Sequence, residues 1–278
     1  MRLTILSDIH GNLEALGAVL EDARNLQALP PDTTRLFGLA DPADPSPTSA
    51  RAARADAAGP VPSSLVCLGD MVGYGADPEA VVSVLRAQGV QAVMGNHEMG
   101  LRGGRLKGRF NPQAWESVCW TASRLSAANL RWLRELPASL SLMGCRFVHG
   151  MPPDKVDAYL NWVSRDLLRQ AMLELPEKVC FVGHTHLLGL ASLRGDELKR
   201  SSLEEGERLL PPDARHLVNA GSVGQPRDLD PRAKYCLFDT DSRELTVRFV
   251  PYDAEEAAGK ILELGQPKVF AERLLRSG

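Results

Sequence analysis

Five of the six histidines in this 278-residue chain lie just beyond short apolar runs, in stretches that carry glycine. Asp8 and His10 stand in Ser-Asp-Ile-His-Gly-Asn after the first run, and Asp70 ends Leu-Gly-Asp after the second. Asn96 and His97 follow the third in Met-Gly-Asn-His-Glu. His149 ends Arg-Phe-Val-His-Gly, and His184 and His186 end Val-Gly-His-Thr-His. These side chains offer carboxylate, amide and imidazole donors and no thiolate, a set suited to Mn, Fe or Zn. Two such ions ~3.5–4 Å apart can activate a bridging hydroxide and clamp a phosphoryl group during in-line attack. A carboxylate between them would hold that spacing by neutralising charge. One Asp-x-His or His-x-His carries little information. The joint pattern carries much more, because independent coincidence across five loops is improbable.

Something must bring these loops together. The runs Leu3–Leu6, Leu65–Leu68, Ala92–Met94, Arg146–Val148, Val179–Val182 and Leu217–Val218 are too short for helices. They read as buried strands that run into loops. Ligands of an open α/β sheet gather at the carboxyl ends of its strands, so the polar residues would share one rim. Leu13, Leu16, Val19, Leu20, Ala23 and Leu26 repeat at helical spacing, with Asn12 a fitting N-cap. Further helices are predicted over Pro78–Ala87, Gln113–Leu136 and Lys155–Leu175, and from Asp253 onward with a break at Pro267. Tyr235–Phe238 and Leu245–Val250 flank Asp241-Ser242 as an antiparallel hairpin. The alternation of strand and helix implies an α/β fold with a largely parallel sheet, and the late hairpin would add antiparallel edges. Residues 30–64 hold seven prolines and eight alanines, a composition that buries too little apolar surface to order itself, so a surface insertion is expected.

Bulk composition narrows the partners. A net charge of −3 argues against a general nucleic-acid-coating protein. The five cysteines form no Cys-x-x-Cys pair, and Cys67, Cys145, Cys180 and Cys236 sit in apolar runs, so neither a disulfide framework nor a thiolate zinc site is expected. No stretch approaches the ~20 apolar residues that span a bilayer, and the first apolar run is too short for a signal peptide. A reducing cytoplasm is the expected compartment.

The motifs Asp8-Ile-His10, Gly69-Asp70, Gly95-Asn96-His97-Glu98, Val148-His149-Gly150 and Gly183-His184-Thr185-His186 resemble, in order, those of the calcineurin-like metallophosphoesterases. The likeness runs from Met1 to about Asp228. Gly69-Asp70-Met-Val-Gly-Tyr-Gly75 and Asn219-Ala-Gly-Ser-Val-Gly-Gln-Pro226 resemble the small bacterial branch that contains the YfcE-type phosphodiesterases. The resemblance implies a metallophosphoesterase fold, a four-layer αββα sandwich with two mixed β-sheets. It implies Asp8, His10 and His186 on one divalent ion and Asn96, His149 and His184 on a second, with Asp70 bridging and Mn²⁺ preferred over Fe or Zn. His97 would be the general acid, since imidazole can supply a proton near neutral pH. The implied activity is hydrolysis of phosphodiester or phosphomonoester bonds in a small phosphorylated substrate. Protein phosphatase or dinucleoside polyphosphate hydrolase activity would use the same site. A retromer subunit of this fold serves mainly as a binding scaffold, but a scaffold would be expected to lose ligands or the acid, and here all are present. A homo-oligomer is compatible with the sequence.

Two departures from the family stand out: the insertion lengthens the spacing between the first two motifs, and residues 100–134 and 152–175 are long connections, expected to form a helical cap on a single domain spanning 1–278. Arg102, Arg105, Lys107 and Arg109 lie in a glycine-rich loop beside His97, where Arg102 and Arg105 would grip phosphate unless the loop is simply solvated. Asn12 could face phosphate as well as cap its helix. Glu98 suits a structural role better than orienting His97. Tyr74 could border the pocket or pack its own loop, and Gly221-Ser-Val-Gly224 could turn its amides toward the metals or form a plain turn. The four tryptophans read as core or cap packing.

Overall fold

The computed structural model describes residues 1–29 and 64–276, apart from the side chain of Arg105. The expected insertion at 30–64 thus lies outside the described residues, save for Ser64. The chain opens with β1 (Arg2–Leu6), α1 (Leu13–Asn25), β2 (Leu65–Cys67), α2 (Pro78–Ala87), β3 (Gln91–Ala92) and α3 (Asn96–Gly100). It continues through α4 (Pro112–Arg124), α5 (Ala127–Glu135), β4 (Ser139–Leu142), β5 (Cys145–Val148), α6 (Arg165–Glu174) and β6 (Val179–Val182). Last come β7 (Leu188–Arg194), β8 (Glu197–Ser202), β9 (Gly206–Leu209), β10 (Arg215–Ala220), β11 (Ala233–Asp239), β12 (Glu244–Val250), α7 (Ala254–Glu263) and α8 (Lys268–Leu274).

The strands form two mixed six-stranded sheets, ordered β3-β2-β1-β11-β12-β9 and β4-β5-β6-β10-β7-β8. In the first, β1, β2 and β3 run parallel and β11 returns antiparallel to β1. The hairpin β11–β12 is therefore inside a sheet and not at its edge. β11 pairs with β1 on one side and β12 on the other, and its burial at six of seven positions shows that both faces of this part of the sheet are covered. Leu3, Ile5, Val66, Phe147, Phe181, Val218 and Phe238 fill the space between the sheets. On the outer face of the first sheet, α1, α2, α4 and α5 bury Leu16, Val19, Val81, Leu85, Val118 and Leu133. On that of the second, α6 buries Leu168 and Met172. The result is the four-layer αββα sandwich.

Three expectations need correction. The Gln113–Leu136 helix is two helices, because Ser126 ends the first and caps α5 by accepting from the Asn129 N–H at 3.2 Å. The Lys155–Leu175 helix starts only at Arg165, after the Ser164 cap; before it the chain is loop with one 3-10 turn at Leu160–Trp162. That loop leaves Trp162 81% exposed, against the packed position expected for it, whereas Trp115 and Trp132 pack on the core. The two long connections do double duty. Their helices make outer layers, and their leading loops meet over the rim, where Arg109 pairs with Asp157 at 2.8 Å. Cys67, Cys145, Cys180 and Cys236 are free and buried, and no helix among the described residues is long and apolar enough to cross a membrane.

Candidate metal centre

The turns after β1, β2, β3, β5 and β6 converge on one rim, and they do so under strain. Asp8, His10, Asp70, Tyr74, His184 and His186 all have positive φ, between 51° and 68°. Non-glycine residues hold that conformation at about 1–3 kcal/mol each, only where their surroundings over-determine it. Here the loops lock one another: Asp8 N–H donates to Gly69 O at 3.1 Å, and His10 N–H to Asp70 O at 2.9 Å. The Gly221–Gly224 turn closes the other side. The Val223 and Gly224 N–H groups donate to Ser7 O and Asp8 O at 2.9 and 3.0 Å, so these amides serve structure and do not face the rim.

Three imidazoles are fixed through Nδ1. His10 donates to Val72 O at 3.0 Å, His149 to Leu68 O at 2.8 Å, and His186 to Gln225 O at 2.5 Å. A carbonyl can only accept, so each ring keeps its proton on Nδ1 and turns Nε2 inward. His10 Nε2 and His186 Nε2, 3.2 Å apart, therefore present lone pairs to each other, and Asp8 Oδ1 lies 3.2 Å from the latter and 3.8 Å from the former. No hydrogen-bond donor reaches Asp8 Oδ1, and the buried Nε2 of His184 is likewise without a partner. Asp70 Oδ2 lies 3.3 Å from His149 Nε2 and 3.8 Å from His10 Nε2, while Asn96 Oδ1 lies 3.2 Å from His149 Nε2. The ligand atoms of Asp8, His10 and His186 fall within 4.8 Å of one another, as do those of Asp70, His149 and His184. Six of the seven expected side chains fall in these two sets, a third set of His10, Asp70 and His97 links them, and Asn96 stands beside His149. Their convergence, with Asp8 Oδ1 and His184 Nε2 left without partners, fits a pair of cations.

Electrostatics agrees. Burial opposes charge on Asp8, yet His186 and His149 outweigh it and hold the carboxyl below its usual range. Asp70 is held low by His149 and His97 against the same burial. Burial drives His10 well down and His184 to about 3, which keeps both rings neutral as ligands must be. His149 differs: burial lowers it, but Asp70 and Asp8 prevail and push it up to about 9. Below pH 9 the metal-free ring is protonated, and a metal must displace that proton. Titration calorimetry at pH 7, in buffers of differing ionisation heat, should detect about one proton released per chain on metal binding, with affinity rising as pH approaches 9. Binding without proton release would contradict this assignment.

Glu98 is a positioning residue. Fully buried, its carboxylate accepts from the N–H groups of Asp70, Met71 and Gly95 at 2.7, 2.9 and 2.9 Å, which joins the Asp70 turn to the Asn96 turn. Burial and the neighbouring Asp70 push it up to about 7. Gly95 is obligatory, since a Cβ there would lie 2.2 Å from Asp70 Oδ1. His97 donates its backbone N–H to that Oδ1 at 2.8 Å, and its ring packs beside Tyr74 and His10. Its Nδ1 is buried without a partner, so packing and not a carboxylate orients the ring. Burial lowers its pKa to about 4.

The expected substrate-binding residues fare differently. Asn12 caps α1 through Oδ1 and donates Nδ2 to Gly224 O and Tyr252 Oη, so its amide is used internally. Arg102 donates to Arg134 O and Leu136 O, tying its loop to α5 and not to the rim. The side chain of Arg105 lies outside the described residues. Arg109 of that loop instead lies over the rim, lining a cavity with Asn96 and His184. The sequence reading also missed Arg227, whose charge acts on His97, Tyr74 and Arg273. Its place directly after Gln225-Pro226, with the Gln225 carbonyl holding His186, was the available signal. Tyr74 does border the pocket, with its ring 4.6 Å from those of both His10 and His97.

Comparison with known proteins agrees with this geometry. A family model for the calcineurin-like phosphoesterase superfamily domain matches residues 48–243. The uncharacterized protein MJ0912 of Methanocaldococcus jannaschii is 32% identical over 98% of this chain and 96% of its own. The crystal structure of a metallophosphoesterase from Sphaerobacter thermophilus is 30% identical and superposes with a TM-score of 0.74, covering 99% of each chain. The hypothetical protein PH1004 of Pyrococcus horikoshii OT3, 17% identical, shares the fold with a TM-score of 0.70 over 100% of this chain and 98% of its own.

Proposed function

This chain belongs to the calcineurin-like phosphoesterase superfamily, and from that premise we propose that it hydrolyses phosphodiester or phosphomonoester bonds of a small substrate, with His97 as general acid. The observation that carries the reading is the pair of donor sets joined at Asp70. Asp8, His10 and His186 would hold one divalent ion and Asn96, His149 and His184 the other, Mn²⁺ suiting this oxygen and imidazole set. Bound there, the ions would supply Lewis-acid charge to the phosphoryl oxygens and lower the pKa of an attacking water. The protein supplies the rest. Asp70 holds both sites through Oδ2 and the His97 backbone through Oδ1, so bridge and acid move as one unit. The phosphate's negative charge would favour the protonated form of His97, against the burial that lowers it.

Retention of all seven ligand positions together with His97 supports an enzyme over a binding scaffold. Four buried free thiols suit a reducing cytoplasm. Mn²⁺-loaded protein should hydrolyse bis(p-nitrophenyl) phosphate or p-nitrophenyl phosphate. Fully loaded protein inert toward diesters, monoesters and nucleotides alike would overturn the reading. Under this reading Arg227 would contribute positive charge to phosphate binding near His97. Arg227→Ala should lower kcat/KM about tenfold, chiefly through KM, as expected for one lost charge-assisted hydrogen bond.

A further inference from the structure

The His97 ring is held by its neighbours and not by a hydrogen bond at Nδ1, which is buried without a partner. Three rings surround it, Tyr74 at 4.6 Å, His10 at 4.8 Å and Phe110 at 6.0 Å between centroids. His10 is fixed in turn by its bond to Val72 O, and Phe110 stands farther off. The position of Tyr74 therefore decides where the His97 imidazole points.

Tyr74 does not hold itself in place. Its φ of 62° is one that a residue with a side chain keeps only where its surroundings impose it. Its N–H donates to Ser117 Oγ of α4 at 2.5 Å, which fixes the backbone. The ring is backed by Phe270 of α8, buried and 4.8 Å away between centroids. Both belong to a small apolar core apart from those that flank the sheets. Six of its eight buried residues come from α7 and α8, and the other two are Tyr74 and Ala114. Lys260 of α7 ties these helices to Glu14 of α1 and, at 3.4 Å, to Asp77 just past Tyr74. The C-terminal helices carry none of the five motifs, yet their core ends against the acid's nearest ring.

We propose that Phe270 is a positioning residue: through Tyr74 it sets the angle at which the His97 ring meets the leaving oxygen. The proposal rests on His97 as general acid and adds a remote element on which that role depends. Flat rings in tilted or edge contact restrict one another's rotation. Leucine at position 270 would fill much of the same volume without the flat face, so Tyr74 would gain freedom and His97 with it.

On Mn²⁺-loaded protein, Phe270→Leu should lower kcat for an alkyl phosphate about tenfold, within the ~10²-fold that a misplacement of ~1 Å can cost, and for p-nitrophenyl phosphate less than about twofold. Metal content should not change. Tyr74→Leu should lose more, and Tyr74→Phe, which keeps the ring, should recover most of that loss. In a His97→Ala background, Phe270→Leu should have no further effect on the alkyl ester, because the two act through one group. A second readout needs no turnover. In Zn²⁺-loaded protein with ¹⁵N-labelled histidine, the His97 imidazole resonances, identified by their absence in His97→Ala, should shift in Phe270→Leu. Those of His216, held by Ser192 and Pro211 O, should stay. An unmoved His97 resonance would overturn the positioning role. So would losses that add to those of His97→Ala, or equal losses on the two esters where His97→Ala itself discriminates between them. A shifted resonance, with a His97→Ala variant that does not discriminate, keeps the brace and removes the acid.

Discussion

Asp70→Asn is expected to lower turnover by at least ~10³-fold and to reduce metal content from about two ions per chain toward one. Both effects follow from one atom. Asp70 Oδ2 faces His10 Nε2 at 3.8 Å and His149 Nε2 at 3.3 Å, which places it between the two donor sets. Asparagine has the same shape, and its oxygen can still accept the His97 N–H that Oδ1 accepts at 2.8 Å. The fold should therefore survive, since Glu98 still fixes the backbone of position 70. What is lost is negative charge. Two dications held a few ångströms apart repel strongly in a buried site, and the amide offers no counter-charge to offset that repulsion. In the metal-free protein the same change removes the main support for the raised pKa of His149, which should drop from about 9. Elemental analysis after Mn²⁺ loading, run beside kcat, checks the prediction. Full activity with a single bound ion would refute the bridging role.

The convergence of the candidate side chains was legible in the sequence because they stood directly after short buried runs, and strand ends are where such a fold presents them. Each feature is local. What could not be read was set by pairing at long range. β1 lies beside β11 through a register that joins Arg2 to Asp239, and nothing near either residue announces that partner. The edge strand β8 is exposed at five of its six positions and β9 at all four, so neither shows the burial pattern that marks a strand. Strands β4 and β7 were missed as well. The basic loop shows the same limit. Closeness to His97 in sequence favoured Arg102, but α3 and the turn over Gly104–Arg109 carry the chain back, so that Arg109 meets Asp157 over the rim while Arg102 ties to α5. The early break in Lys155–Leu175 was visible as Ser164, whose hydroxyl accepts from Leu167 N–H; apolar spacing alone had extended the helix past it.

His97→Ala should lower kcat by ~10²–10⁴-fold for alkyl esters while leaving metal content near normal. The seven other donor side chains remain in place, and the hydrogen bond to Asp70 comes from the backbone of residue 97, which alanine keeps. The loss should be selective. An alkoxide leaves poorly without a proton, so an alkyl ester bears the full loss of the acid. A p-nitrophenolate leaves without protonation, so its ester should lose far less. Gly73 supplies a second probe. A Cβ there would lie 2.0 Å from His97 Nδ1 at a φ of 87° that strains any L side chain, so Gly73→Ala displaces the ring and its turn without deleting the imidazole. If the acid must stand at one point over the leaving oxygen, both variants should show the same dependence on leaving group, with Gly73→Ala the milder. If instead His97 binds phosphate as a polar wall, alkyl and aryl esters should suffer equally in each variant, and the loss should appear in KM.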